Sequence, residues 1–395
     1  MKHYDVIVVG AGPVGGFVAD AISKKGYKVA LLEEHREIGR PVQCAGLVSH
    51  RVFKILDSEF AILNEVRGAR VHSPSNRSLL FEAANPKACV IDRAVFDSTL
   101  VNKAVDSGCM LQLGAKVIDI KRHNDGIRVE LSENRSKIEM ECKLVIGSDG
   151  VGSQVARNLN FPKPNEILSG YGAECIGDEN ANKDFVNIFV GNKIAPGFFA
   201  WIIPTDEGIR IGLCTSKGKE SPKYYFKNLL KNPKVIEIMG NSKIKGYIAG
   251  LIPMGPMKKI CSDNAMLVGD AAAQVKPLSG GGIYLGLLCG SHCADVAASA
   301  LENDDVSEKS LKEYPKLVKV DVGKEIKRAT QLRKIYVGLK DEHMEEGFNI
   351  LNDEKVLSFI AKHGDIDYPS GLTKTVLKKA PRLMKFAGPV LKSLL

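Results

Sequence analysis

Residues 4-YDVIVVGAGPVGG-16 constrain this chain more than any other stretch. An apolar run ends in GxGxxG at Gly10, Gly12 and Gly15, a helical pattern follows to Gly26, and a second apolar run, 28-KVALLEE-34, closes on acids. That order is a βαβ unit. Gly10 makes the tight turn, Gly12 lets the backbone approach a pyrophosphate, and Gly15 lets the helix pack closely on the strand. Free N–H groups and the dipole at the helix start receive phosphate charge. Glu33 lies 21 residues after Gly12, where an acid accepts adenosine ribose hydroxyls, and Glu34 is its neighbouring substitute. An acid there repels a 2′-phosphate, which leaves NAD or FAD.

A second nucleotide-type element, 265-AMLVGDAAAQVKPLSGGGIYLG-286, begins 255 residues after Gly10. Gly269-Asp270 ends an apolar strand, and Gly280, Gly281 and Gly282 open an apolar helix. One NAD does not need two distant strand-to-helix phosphate loops, whereas one long flavin dinucleotide gripped at both ends does. The first loop then takes the AMP half and the second reaches the ribityl phosphate and the ring. Asp270 is placed to bond a ribityl hydroxyl. Gly281-Gly282-Ile283 faces the flavin C2 carbonyl, where negative charge gathers on reduction. No second complete βαβ fingerprint with its own acid is present, so no nicotinamide domain is expected. The stretch 37-EIGRPVQCAGLVS-49 is a loop broken by Gly39, Pro41 and Gly46. A NAD enzyme would normally proceed to its next helix there, and a loop instead brings the far end of the cofactor close.

Residues 92–108 read as a helix capped by Asp92, with Val95, Leu100, Val101 and Val105 facing inward. Arg93 sits in the first turn, where the dipole disfavours a cation. A cofactor phosphate and open solvent are both possible surroundings for it. Runs at 116–122, 127–131 and 138–150 alternate like strands, with hairpin turns at Asn124-Asp125-Gly126 and Asn134-Arg135. After the last of these, Asp149 is placed to cap a short helix or to accept a bond from cofactor or backbone. Residues 169–260 are a β-rich insertion with strands at 184–191, 197–204 and 208–214, a basic helix at 222–231 and the only Trp of the chain. Its aromatic and aliphatic side chains either wall an apolar pocket or fill an ordinary core.

Composition narrows the partners. A chain of 395 residues with 44% apolar content holds two or three domains or one interleaved one, and its net charge of +9 favours anionic partners. No uninterrupted apolar run reaches the roughly 18–20 residues that span a bilayer. The fold signal begins at Tyr4, before any cleavable signal, so a cytoplasmic chain is expected. Nine cysteines lack CxxC spacing, and Cys289 and Cys293, one helical turn apart, have no partners at metal spacing. Neither disulfides nor a metal site is expected.

The set GxGxxG…Glu33, Arg93, Gly147-Ser148-Asp149-Gly150 and Gly269-Asp270…Pro277 resembles the glutathione-reductase type flavoproteins of the p-hydroxybenzoate-hydroxylase-like branch. Within it, the chain is most similar to the archaeal geranylgeranyl reductases, also called digeranylgeranylglycerophospholipid reductases. The resemblance covers residues 1 to about 330 and, more loosely, the helical tail. It rests on 41-PVQCAGLVS-49, on Pro-x-x-Gly-Gly-Gly-Ile in the last loop, and on 199-FAWIIPTDEGIRIGLC-214. This last stretch is similar to the family's Tyr-x-Trp-x-Phe-Pro…Gly-x-Gly substrate-cavity signature. Phe199, Ile203 and Cys214 depart from it, while Trp201, Pro204 and Gly212 remain. Ala45 stands after Cys44 where the family usually has Gly-Glu.

The resemblance implies an α/β fold. An FAD-binding Rossmann domain (1–68, 92–160 and 261–300) is interleaved with a β-sheet substrate domain (69–91 and 161–260) and followed by a helical C-terminal region (301–395). It implies FAD contacts at Gly10, Gly12, Gly15, Glu33, Cys44, Ala45, Gly46, Arg93, Val117, Asp270, Gly282 and Ile283. It implies a substrate wall at Phe199, Trp201, Ile203, Pro204 and Gly212. The implied reaction saturates isolated C=C bonds in isoprenoid chains of archaeal ether lipids, with hydride from N5 of reduced FAD. Cys44 is either the proton donor or simply packed beside the ring. Electrons would come from a ferredoxin-like protein or from transiently docked NADPH, and nucleic acid is not an expected partner.

Two other functions fit the same fold: an FAD monooxygenase or halogenase, and a non-catalytic prenyl-lipid carrier. Finally, 370-SGLTKTVLKKAPRLMKFAGPVLKSLL-395 has no acid, and its Lys and Arg residues alternate with aliphatics. That pattern suits either a basic segment lying on an anionic membrane, at its inner face, or docking onto the protein's own body. Pro381 and Pro389 break it into short helices.

Overall fold

The computed structural model describes residues 2–386, apart from 125, 134, 135, 178 and 217. The proposed turns at Asn124-Asp125-Gly126 and Asn134-Arg135 include residues outside the described set, as does the tail from 387 onward with Pro389. The strands that flank those turns, Lys116–His123, Gly126–Glu133 and Ser136–Gly147, pair antiparallel as the alternation predicts.

The apolar runs of the dinucleotide unit form the centre of an eight-stranded sheet. Lys2–Val9 lies between Val29–Leu32 and Ser136–Gly147, parallel to both, and Ser136–Gly147 is parallel to Ala265–Leu267. Strands covered on both faces need apolar side chains in every position, and Val6, Ile7, Val8, Leu144, Val145 and Ile146 are fully buried. Their carboxyl ends deliver three loops to one edge of the sheet: Gly10–Gly12, Ser148–Gly150 and Gly269–Asp270. Ligands of open α/β sheets bind outside that edge.

Three helices cover the sheet: Pro13–Ser23, Arg93–Asp106 and Ile283–Glu302. In the second, Asp92 accepts from the Ala94 and Val95 N–H groups at 2.8 and 3.1 Å, as expected of the cap. The expected inward face is corrected. Val95 and Val105 are 49% and 42% exposed, and the buried stripe is Phe96, Leu100, Val101 and Ala104, which follows the 3.6-residue period from Phe96. Ile283–Glu302 has 20 residues and is apolar and long enough to cross a membrane by length and composition. Here it is a core helix. Gly286 lets it approach the first helix so closely that a Cβ would stand 2.5 Å from a Val14 methyl.

A seven-stranded sheet stands over the open edge. Its order is Lys243–Met254, Glu166–Ile176, Gly208–Thr215, Phe199–Pro204, Phe185–Val190, Gly68–His72 and Ser78–Glu82. One face packs on the helix Pro222–Leu229 through Ile202, Ile211, Leu213 and Phe226. Ala88–Ile91 joins Leu47–Val48 and Ile62–Val66 in a third, three-stranded sheet. Helices Lys324–Gly338, Asp341–Leu351, Glu354–His363 and Thr373–Lys379 follow. Among them, Arg333 pairs with Glu166 at 2.8 Å and Tyr336 donates to the Phe198 carbonyl at 2.5 Å, which ties the helical region to the seven-stranded sheet.

Candidate cofactor cleft and apolar cavity

One cavity of about 1670 Å³ runs from the three loops to the wall of the seven-stranded sheet. At its polar end the loops are stitched together. Gly10, with φ +95°, donates to the Leu32 carbonyl at 2.7 Å. Ser148 Oγ donates to the Val9 and Gly10 carbonyls at 2.8 and 2.7 Å. A Cβ on Gly15 would stand 1.9 Å from the Gly10 oxygen, whereas one on Gly12 would meet nothing within 4 Å. Gly15 therefore serves packing, and Gly12 faces open space. Glu33 is held against this loop: its Oε2 accepts from Ala11 N–H at 2.9 Å and its Oε1 from His35 N–H at 3.0 Å.

Asp149 caps the helix Gln154–Asn158 through Oδ2, which accepts from Gln154 and Val155 N–H at 2.6 and 3.2 Å. Its Oδ1 is buried with no hydrogen-bond partner among the described residues, and burial raises its pKa. That oxygen is shielded at the end of the sheet, where a Cβ on Gly147 would lie 3.1 Å from it. Asp270 lines the cavity beside the glycine run. Burial pushes its carboxyl up to about 6, partly opposed by the Arg93 charge. A Cβ on Gly282 would sit 2.8 Å from Asp270 Oδ1, so only glycine lets the long helix start this close to the acid.

Arg93 does not sit in open solvent: its side chain is 16% exposed and lines the cavity. It makes a two-pronged ion pair with Asp97, at 3.0 and 2.7 Å, one helical turn on. Burial works against the Arg93 charge, and Asp97 with the neighbouring Cys44 more than offsets it. This i,i+4 pair was readable in the sequence. Cys44 is half-buried, and its Sγ accepts from Gly46 N–H at 3.4 Å.

Arg210, which no motif singled out, holds the Cys44–Gly46 loop. Its Nη1 donates to the carbonyls of Ile91 at 2.7 Å and Ala45 at 3.2 Å, and its Nε donates to Glu174 at 3.0 Å. Gly46, at φ +75°, has no room for a side chain, because a Cβ would lie 2.3 Å from that Nη1.

At the apolar end, Phe199, Trp201 and Ile203 alternate along one strand and all line the cavity. Phe199 and Trp201 meet edge to face at 6.2 Å. Gly212 lies opposite Trp201 in the ladder, and its Cβ would stand 2.8 Å from the indole. Pro204 and Gly212 thus shape the wall without lining the cavity. Every other predicted cofactor or substrate residue except Gly15 lines it, including Ala45, Val117 and Ile283. Among the described tail residues, Leu372, Val376, Leu377 and Leu383 line the same cavity, so these side chains face the protein's own body, while Met384 is 47% exposed. Away from this cavity the fold assembles His50, Glu65 and Cys89, with ligand atoms within 4.8 Å of one another. Spacing gave no sign of that trio, and the Cys89 thiol is pushed up to about 12 by burial, away from the thiolate a metal takes.

Residues 3–293 match the family model of the FAD binding domain. The chain is 34% identical over 380 residues to an uncharacterized protein of Methanocaldococcus jannaschii, covering 95% of each. It is 30% identical over 388 residues to the digeranylgeranylglycerophospholipid reductase of the same organism, covering 97% of each. To digeranylgeranylglycerophospholipid reductase 3 of Methanosphaera stadtmanae it is 32% identical over 397 residues, again 97% of each. Among solved structures, a geranylgeranyl bacteriochlorophyll reductase-like protein of Thermoplasma acidophilum superposes with TM-score 0.88 at 25% identity, covering all of both chains. A flavin-dependent brominase, at TM-score 0.70 and 16% identity over 96% of this chain and all of its own, shares the fold alone.

Proposed function

The chain belongs to the digeranylgeranylglycerophospholipid reductase family and carries its FAD-binding domain, and from that premise we propose that it saturates C=C bonds in the geranylgeranyl chains of an archaeal ether lipid. The single observation that carries this reading is the continuity of one cavity from the dinucleotide loops to an apolar wall built by Phe199, Trp201 and Ile203. Gly10, Gly12, Glu33, Asp270 and Gly282 are the residues that would hold FAD, which when reduced supplies hydride to one carbon of the alkene.

The protein's own task follows from the substrate. An isolated alkene has no carbonyl to polarise, so positioning and exclusion of water are what remain for the enzyme to provide. The aromatic and aliphatic wall, with the aliphatic side chains of the tail lining the same cavity, would keep water from an isoprenoid chain. Cys44 stands where the cofactor loop meets that wall, and its Sγ is the proposed holder of the proton for the second carbon. Cys44→Ala then slows product formation in single turnover while bound flavin is retained. Unchanged single-turnover rates would leave Cys44 a packing residue. Electrons reach the flavin from a ferredoxin-like protein or from transiently docked NADPH.

The outer face of Thr373–Lys379 presents Lys374, Lys378 and Lys379 to solvent, with Arg382 beyond it, and is the proposed contact with an anionic membrane. Changing these four residues to Glu leaves the cavity wall in place. It should abolish co-sedimentation with anionic liposomes, and undiminished co-sedimentation would remove the membrane contact.

The function itself is tested without oxygen. The holoprotein is reduced with dithionite and given digeranylgeranylglyceryl phosphate, and flavin reoxidation and lipid mass are followed together. Reoxidation with the mass of two hydrogens gained per double bond is the expected result. Flavin that stays reduced until oxygen is admitted would favour a monooxygenase.

A further inference from the structure

Lys276 is a buried cation that the reductase chemistry above does not use. Its Nζ lies 2.9 Å from Asp367 Oδ1, and the two side chains are 7% and 0% exposed. Asp367 Oδ2 accepts from Arg51 Nη1 at 3.1 Å, and Arg51 also makes a two-pronged pair with Asp365 at 2.8 and 2.7 Å. Lys276 is also fixed at the last glycine loop. Its N–H donates to the Gly281 carbonyl at 3.1 Å, and its own carbonyl accepts from Gly280 N–H at 2.9 Å. A Cβ on Gly281 would stand 3.1 Å from the Lys276 Nζ. Lys276, Gly280, Gly281 and Gly282 line one cavity.

A buried ion pair is a costly way to hold a loop, since apolar side chains of similar volume usually do it as well or better. Its position suggests a different use. Gly281 and Gly282 open the helix whose N-terminus would meet the C2 carbonyl of a bound flavin, where two-electron reduction would leave negative charge. A cation there favours the reduced flavin, and an anion behind the cation weakens that effect. We propose that Lys276 and Asp367 together set the reduction potential of the bound flavin, Lys276 raising it and Asp367 holding the rise in check. This rests on the FAD reading of the cleft. Asp270, the other charge beside the glycine run, is common to every variant below.

The test is a dye-coupled reductive titration of the purified holoprotein. Lys276→Met should shift the balance toward oxidised flavin by at least tenfold, about 30 mV for a two-electron couple. Asp367→Asn should move the potential the opposite way, and Lys276→Arg should keep it near that of the parent. A purely structural pair predicts no shift, or shifts of one sign that accompany loss of thermal stability, and either result overturns the proposal. If Lys276→Met fails to retain flavin, the sign of the Asp367→Asn shift decides alone. A parent protein that binds no FAD would instead refute the cofactor reading itself.

Discussion

Arg210 makes the most specific energetic prediction, because it joins two parts that the reaction must keep in register. It leaves the wall strand opposite Ile203 and ends on the backbone of the Cys44 loop. Arg210→Met keeps the stem of the side chain and removes every donor. The carbonyls of Ile91 and Ala45 lose the guanidinium, and each buried acceptor left unpaired costs about 1–3 kcal/mol. Water from the adjoining cavity can partly replace it, which puts the sum near the low end, about 2–3 kcal/mol. Glu174, with a side chain 37% exposed, is rehydrated and adds little. For 395 residues at about 2.1 cal/mol/K of unfolding entropy each, this loss lowers Tm by about 3 °C. The functional effect should be larger than the stability effect. A displacement of about 1 Å between loop and wall costs up to about a hundredfold in rate, so kcat should fall well below the parent while KM for the lipid changes little and FAD stays bound. Calorimetry and anaerobic turnover measure the two effects. Arg210→Lys serves one carbonyl and should fall between. A variant Arg210→Met with parental Tm and parental kcat would refute the clamp.

Three further outcomes follow from the same geometry. Gly46→Ala places a Cβ against Arg210 and the Ile91 carbonyl at positive φ, a combination worth about 2–4 kcal/mol; flavin fluorescence titration should show weaker FAD binding, and unaltered affinity would mean that the loop adapts. Asp270 titrates at about 6 in the folded chain against about 4 unfolded, so the folded state binds its proton more tightly and stability is lost as pH rises from about 4 to about 6. Asp270→Asn should flatten that slope in urea unfolding of the flavin-free chain, and an identical slope would show that the acid is solvated. Leu377→Trp fills the tail side of the cavity, so KM should rise severalfold for a full-length isoprenoid chain and little for a short one, an asymmetry that would be absent if the tail lay away from the substrate.

The parts of this site that were legible in the sequence are those whose requirement is local. A tight turn, a backbone that must approach phosphate and a helix that must touch a strand each demand glycine at a fixed offset, which is why Gly10, Gly12, Gly15 and Gly282 could be placed before any coordinates. Strand alternation puts Phe199, Trp201 and Ile203 on one face but left pocket and core both open, and only the resemblance to the family's signature named them as a wall. Residues whose partners are remote were not legible. Arg210 finds Ala45 and Ile91, 165 and 119 residues away, and Lys276 finds Asp367 across 91. No pattern in either neighbourhood names the other end. The helix Arg93–Asp106 shows a different limit: its length and cap were clear, but Val95 and Val105 look as apolar as Phe96 and Leu100, and only packing chose the phase.

The tail carries that limit to function. An amphipathic period is the same whether the apolar side meets lipid or protein, because periodicity records only that one side avoids water. What decides is the surface opposite, and here Val376 and Leu377 line the cavity while Lys374, Lys378 and Lys379 are exposed and do not. The two readings of the segment therefore fall on its two faces and separate experimentally. Substitutions on the inner face should alter chain-length preference with liposome binding intact, and charge reversals on the outer face should do the opposite. If either class of substitution changed both properties together, the tail would be moving as a unit, and its docking on the cavity would depend on the membrane rather than being built into the fold.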